Sequence, residues 1–394
     1  MSVQRIAIVG GGPIGLEAAL YGRRLGYSVD LYERNAIGGN VAAWGFVRLF
    51  TPWRMVTTPL GLATLTESEH PVPSLWESPT GREFRERYLL PLARSRAMAG
   101  SLRIGLDVRS IRRELPSPSS PLSIVLSDAG GQSHIARADA VLDCSGTYNH
   151  HRWAGRGGVP APGEKTLEAR IWYHIPDILH EQRSRFAGRH TLLVGTGHSA
   201  ATALVYLKQL AEQHPQTKVT WAIGRYGQAL AAADEDPLPP RRRLVESVLA
   251  MTHAAPSWLD VRENAVIEKV RGQVDPQEPM AIRLREEGEA ADLEVDELLA
   301  LVGYSPDNSI LEGLHVPEAA YAKSAAEPEA VLPHTADSTF FVLGAKSYGT
   351  SGNFLLPIGH RQIRDAYRLI TKDASVDLYV QLGGSPGEAD PGEE

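Results

Sequence analysis

Two glycine clusters carry the chemistry that can be read from this chain. In Gly10-Gly11-Gly12-Pro13-Ile14-Gly15, residues Gly10, Gly12 and Gly15 take the spacing G-x-G-x-x-G. Gly195-Thr196-Gly197-His198-Ser199-Ala200 repeats that spacing with alanine at the last place. The pattern suits a dinucleotide. Its first glycine turns the chain tightly, its second admits a pyrophosphate against the backbone, and its third small residue lets helix and strand pack closely. Glu33 follows Gly15 by 18 residues, where a carboxylate bonds ribose hydroxyls. After the second cluster the corresponding place holds Arg225 instead of an acid. A guanidinium bonds a 2′-phosphate that an acid would repel, which favours NADPH over NADH. The plainer alternative is an arginine capping a strand at the surface.

The elements that must position these residues are legible around them. Arg5–Val9 is an apolar run suited to a buried parallel strand, and the stretch from Leu16 to Leu25 has helical spacing. Ser28–Glu33 is a second strand. The order recurs as strand Arg189–Val194, helix Ser199–Glu212 and strand Lys218–Ile223. The helix N-terminus of each unit offers free N–H groups and a positive dipole to phosphates. Further strands are expected at 139–147, 297–304 and 339–344, with smaller ones at 103–111 and 122–127. Residues 112–121 read as a hairpin tip and 224–243 as a loop, the latter a candidate lid.

The segment after Glu33, Arg34-Asn35-Ala36-Ile37-Gly38-Gly39-Asn40-Val41, resembles the FAD-binding stretch of two-dinucleotide-fold flavoproteins. These include flavin-containing monooxygenases and thioredoxin-reductase-like enzymes. Phe186-Ala187-Gly188-Arg189 and His198-Ser199 resemble monooxygenase sequences. Two departures stand out. The stretch Ala169–Asp177 lacks the phenylalanine and glycine of the monooxygenase fingerprint, and Ala345-Lys346 follows Gly344 where many relatives carry an aspartate.

The resemblance implies an α/β fold of two Rossmann-like FAD/NAD(P)-binding domains. The NADP domain is inserted into a discontinuous FAD domain. The expected divisions are 1–155 and 298–382 for FAD, 156–297 for NADPH, and a disordered acidic tail at 383–394. The residues implied for FAD are Gly10, Gly12, Pro13, Ile14, Gly15, Glu33, Arg34, Gly38, Gly39, Asn40, Val41, Val108, Ser145, Gly146, Gly344 and Phe354. Those for NADPH are Gly195, Gly197, His198, Ser199, Ala200 and Arg225. A helix starting at 352–355 would aim its N-terminus at the flavin. The aromatic segment Trp44–Thr57 supplies pocket candidates Trp44, Arg48, Trp53, Arg54 and Thr57, with Lys346, Tyr348 and Asn353 behind them. The bland reading makes those aromatics core and those arginines surface.

Composition bounds the rest. Cys144 is the one cysteine, which excludes an internal disulfide and a Cys-x-x-Cys relay; it reads as a small buried spacer. The net charge of −7 gives no footprint for nucleic acid. No apolar run is long enough for a membrane span, so a cytoplasmic protein is expected. The adjacent His150-His151 cannot easily share one ion, and no metal is expected. The resemblance implies hydride transfer from NADPH to flavin. Oxygenation of a small molecule at a soft heteroatom or ketone would follow through a flavin hydroperoxide, with dioxygen as co-substrate. Reduction of a small organic or quinone acceptor is the alternative, and a low-turnover flavin-binding partner protein a second one. A homodimer is a candidate assembly.

Overall fold

The computed structural model describes residues 3–115, 120–224, 236–275, 277–286, 288–314 and 339–384. Arg225, the rest of 225–235, the centre of the 112–121 tip and residues 385–394 of the expected tail lie outside them. The chain divides into two compact units, residues 1–150 with 305–394, and residues 151–304.

The first unit opens with β1 (Arg5–Val9), α1 (Pro13–Arg24) and β2 (Ser28–Glu33). Then come β3 (Leu102–Ile104), β4 (Asp107–Arg113), β5 (Leu122–Ser127), β6 (Ser133–Ala138) and β7 (Ala140–Asp143). The second unit holds β8 (Ile171–Trp172), β9 (His190–Val194), β10 (Lys218–Ile223) and β11 (Leu259–Glu263). It continues with β12 (Val266–Arg271), β13 (Met280–Glu286), β14 (Glu289–Val295) and β15 (Glu297–Ala300). The first unit then resumes with β16 (Phe340–Val342) and a helix at Leu356–Thr371.

The two units repeat one plan. A parallel sheet of order β16-β7-β1-β2-β3 and a three-stranded antiparallel sheet β4-β5-β6 make up the strands of the first. A parallel sheet of order β11-β10-β9-β15-β8 and an antiparallel sheet β12-β13-β14 make up those of the second. Both are α/β units of Rossmann type. In each, the glycine turn follows a central strand that is buried over its last four residues; those are all apolar in β1, whereas β9 includes the buried Thr191.

Why α1 lies where it does follows from its residues. Pro13 at its first position has a preset φ and no N–H to satisfy. Its one face packs Leu16 and Leu20, each no more than 1% exposed, into the core; burying such a side chain contributes roughly 1.5–3 kcal/mol. The helix Leu356–Thr371 lies against it. The Tyr367 hydroxyl donates to the Ala18 carbonyl at 2.8 Å, and a Cβ at Gly22 would stand 2.2 Å from that hydroxyl. Any larger residue at position 22 would separate the two helices.

Four sequence expectations need adjustment. Residues 103–104 join β3 of the parallel sheet, and only the strand from Asp107 onward belongs to the small one. The helix Pro239–Ala254 starts inside the expected loop 224–243, because Pro239-Pro240 occupies its first turn. The last long helix begins at Leu356, with Pro357 in its first turn, so Asn353 and Phe354 precede it. Residues 297–300 pair with β9 along their length, which places β15 in the second unit.

Candidate dinucleotide site

A cavity of about 500 Å³ opens in the first unit. Its wall contains Gly10, Gly12, Pro13, Ile14, Glu33, Arg34, Gly38, Gly39, Asn40, Val41, Val108, Ser145, Gly146, Gly344 and Phe354. The sequence singled out each of these. The volume is within the range of small-molecule and cofactor sites.

The three glycines of the first cluster differ in what surrounds them. Gly10 has φ +97°, and a Cβ there would lie 2.8 Å from the Cys144 carbonyl oxygen. Gly15 does not face the cavity; a Cβ there would lie 1.9 Å from the Gly10 oxygen, so this glycine lets the helix sit on the turn. Around Gly12 a Cβ would meet nothing within 4 Å, because that side is cavity. The positive end of α1 faces the same space, which favours phosphate there.

Glu33 ends β2 and its carboxylate is already engaged. Oε2 accepts from the Gly11 amide at 2.7 Å and Oε1 from the Asn35 amide at 2.8 Å. A carboxylate has about four acceptor sites, so capacity for ribose hydroxyls remains. These bonds also hold the glycine turn against the segment 34–39, where the Gly38 amide donates to the Gly11 carbonyl at 2.9 Å. Val108 lies on the wall next to a register shift in the β4–β5 pairing. Such a bulge re-aims neighbouring groups.

The wall beside the glycine turn is built from the residues that follow β7 and β16. Ser145 and Gly146 follow Asp143, and Gly344, with φ +74°, follows β16. A closed set of bonds fixes the second turn. The Gly344 amide donates to Gln362 Oε1 at 2.8 Å, Gln362 Nε2 donates to Ser347 Oγ at 2.9 Å, and Ser347 Oγ donates to the Gly344 carbonyl at 2.7 Å. Burial pushes the Cys144 thiol well above its ordinary pKa, so it is a protonated wall residue and no nucleophile.

None of the eight pocket candidates lines this cavity. Trp53 is 2% exposed and packs edge-on against Phe84 at 6.1 Å, as a core residue. Trp44 covers Gly81, where a Cβ would lie 2.6 Å from its ring. Thr57 Oγ1 donates to the Trp53 carbonyl at 2.8 Å. Arg48 bonds the Ser78 carbonyl, and Arg54 lies 4.6 Å from the Trp76 ring centre. Tyr348 packs against Phe354 at 5.5 Å, and Lys346 is buried behind the wall. Asn353 is exposed. Aromatic density marked a packed layer, with its arginines laid over rings and carbonyls.

Sequence reasoning missed other wall residues, among them Asn35, Asp107, Thr147, Asn149, His150 and Asp307. Each follows a strand or junction that was recognised, so the signal was adjacency to those turns rather than residue type. His360, one turn into the helix Leu356–Thr371, was also unremarked. Burial drives its imidazole down to about 3, so it stays neutral, and its Nδ1 has no partner among the described residues.

The second unit repeats the glycine geometry. Gly195 has φ +126°, and a Cβ there would lie 2.3 Å from the Leu301 carbonyl oxygen; at Gly197 it would meet nothing within 4 Å. Trp221 Nε1 donates to the Gly195 carbonyl at 2.8 Å and steadies the turn. His198, Ser199 and Ala200 form the first turn of the helix His198–Gln213. Burial, with the Arg241 cation, lowers the pKa of His198. Arg241 is held by Asp236, whose Oδ1 accepts from its Nη2 at 2.8 Å.

Residues 8–77 match the family model of the NAD(P)-binding Rossmann-like domain. No curated protein matches the chain in sequence. Among solved structures, the bacillithiol disulfide reductase Bdr of Bacillus cereus is similar, with TM-score 0.67 and 14% identity. That match covers 95% of this chain and 100% of the other. The FAD-bound cadaverine monooxygenase DfoA of Erwinia amylovora has TM-score 0.66 and 14% identity, covering 100% and 99%. The ornithine N-hydroxylase KtzI of Kutzneria sp. 744 has TM-score 0.63 and 16% identity, covering 93% and 99%. The two-Rossmann-unit fold is therefore shared with a disulfide reductase, a cadaverine monooxygenase and an ornithine N-hydroxylase over almost the whole chain.

Proposed function

We propose that the chain is an FAD-dependent, NADPH-consuming monooxygenase acting on a small organic substrate. FAD would occupy the cavity of the first unit, its pyrophosphate against Gly12 and the start of α1, its adenosine ribose at Glu33. NADPH would take the turn Gly195–Ala200, with Arg225 on the 2′-phosphate. The observation that carries the reading is the duplicated cradle. In each cluster the Cβ position of the second glycine is open, while a Cβ on the first would strike a carbonyl.

The flavin supplies hydride acceptance and dioxygen chemistry when bound. The chain's own contribution is binding, orientation and exclusion of water. The overall reaction balances as NADPH, O₂, a proton and substrate giving NADP⁺, water and a substrate carrying one oxygen atom. A soft nucleophile, an amine nitrogen or a thioether sulfur, or a ketone, suits that transfer. The single cysteine supports this reading over a protein-borne dithiol relay, which needs two.

A second reading, reduction of a diffusible organic or quinone acceptor, is favoured by the likeness to a disulfide reductase. One experiment separates them. The protein is reconstituted with FAD, given NADPH and ¹⁸O₂, and offered a panel of primary amines and thioethers. Oxygen-18 in a product supports the monooxygenase. NADPH turnover that needs menadione and leaves no labelled product points to the reductase instead. A folded protein that takes up no flavin sinks both.

A further inference from the structure

Asp143, the last residue of β7, and Lys346, two residues past Gly344, form an ion pair. Lys346 Nζ lies 2.7 Å from Asp143 Oδ2, and the side chains are 1% and 0% exposed. Ser145 closes the network. Its Oγ and amide donate to Asp143 Oδ1 at 2.7 and 3.1 Å, and Lys346 Nζ donates to its Oγ at 3.2 Å. Neither charged side chain lines the cavity, yet the residues beside each of them do. Cys144, Ser145 and Gly146 follow Asp143, and Gly344 and Ala345 precede Lys346.

A buried ion pair is costly to desolvate, and well-packed apolar residues in its place are often equally stable or more so. Packing alone therefore does not account for it. What the pair does geometrically is join two turns, 203 residues apart in sequence, that together make one wall of the cavity. Electrically, it places one positive and one negative charge one residue behind that wall, where little water screens them.

We propose that Lys346 and Asp143 are positioning residues for the bound flavin: the bridge fixes the two turns that cradle it and balances the buried charge beside it, so that neither sign biases its reduction. This rests on the reading of the cavity as the FAD site. Flavin reduction adds negative charge to the ring. Losing the cation leaves a buried carboxylate that disfavours reduction; losing the carboxylate leaves a buried cation that favours it. The two single losses thus act on the potential with opposite signs. A purely structural bridge, once broken from either side, would loosen the same turns and shift the potential one way.

The test uses the full chain reconstituted with FAD, as wild type, K346M, D143N, K346R and the double variant K346M/D143L. FAD affinity is read by fluorescence titration and midpoint potential by dye-coupled reduction. Both single variants are expected to bind FAD at least about tenfold more weakly, the scale of a lost charged hydrogen bond. K346M should lower the potential and D143N should raise it. K346R should keep the wild-type potential. The double variant should return to the wild-type potential without recovering the full affinity. Single variants with unchanged affinity, or potentials that move in the same direction, overturn the proposal while leaving the FAD site standing. If K346M or D143N does not fold, the sign of the other's potential shift decides, together with K346R and the double variant. A double variant with wild-type affinity, or K346R with a shifted potential, overturns it equally. A folded wild type that takes up no FAD removes the cofactor reading itself and this proposal with it.

Discussion

Glu17→Gln should abolish a pH dependence in the stability of the first unit. Glu17 lies in α1, 2% exposed, and its Oε1 accepts from Thr58 Oγ1 at 2.7 Å. Burial raises its pKa from 4.5 to about 7, with the Thr58 and Tyr379 hydroxyls opposing. Between those two values the folded chain holds a proton that the unfolded chain has lost. Stability is then full below pH 4.5, falls as pH rises towards 7, and is level above it. At about 1.4 kcal/mol per pH unit the span amounts to about 3 kcal/mol. Glutamine keeps the acceptor for Thr58 and has no proton to lose. The stability difference between variant and wild type should therefore move by about 3 kcal/mol in favour of the variant from pH 4.5 to pH 8. Hydrogen exchange of the α1 amides measures it, as opening free energies corrected for the chemical exchange rate at each pH. A difference that stays constant across that range would refute the argument.

Gly12→Val should leave the apoprotein folded and cost more than about 3 kcal/mol of FAD binding, roughly a hundredfold in Kd by flavin titration. Gly15→Val should instead fail to fold, since its Cβ would lie 1.9 Å from a carbonyl oxygen; a soluble, circular-dichroism-normal Gly15→Val would count against the packing described. Arg225→Ala should weaken NADPH about tenfold or more and NADH little, the scale of one charge-assisted bond to phosphate; equal losses in the two titrations would remove the cofactor preference. Trp53→Ala should destabilise by about 3–5 kcal/mol in a denaturant titration, as expected of a core aromatic. An unchanged midpoint with altered substrate kinetics would return Trp53 to the pocket.

The glycine clusters were the most legible part of the chain because backbone geometry leaves few residues a choice. At Gly10 and Gly195 a positive φ and a facing carbonyl exclude every side chain. Strand runs such as Arg5–Val9 were legible because a strand buried on both faces has no polar positions to interrupt it. The less legible residues take their meaning from partners elsewhere in the chain. Pro239-Pro240 is the exception, a local helix-start signal: the Arg241 and Arg242 amides donate to the Leu238 carbonyl in the first turn. Trp53 and Arg54 read as a binding surface until Phe84 and Trp76 cover them. Lys346 reads as a pocket cation until Asp143, far away in sequence, claims it. Periodicity carries information about an element's own face; it carries none about what arrives from 200 residues later.

The place where the chain leaves the first unit is also where it comes back. His150 and Ser305 face one another, the Ser305 amide donating to the His150 carbonyl at 2.9 Å and His150 Nδ1 lying 3.0 Å from Ser305 Oγ. An excursion whose two ends already touch behaves as a cassette. Residues 151–304 can be cut out and the ends rejoined by a short glycine linker without stretching the remaining backbone, the circumstance in which domain insertions are tolerated. The shortened chain would keep the whole lining of the 500 Å³ cavity, since every residue of it comes from outside the cassette.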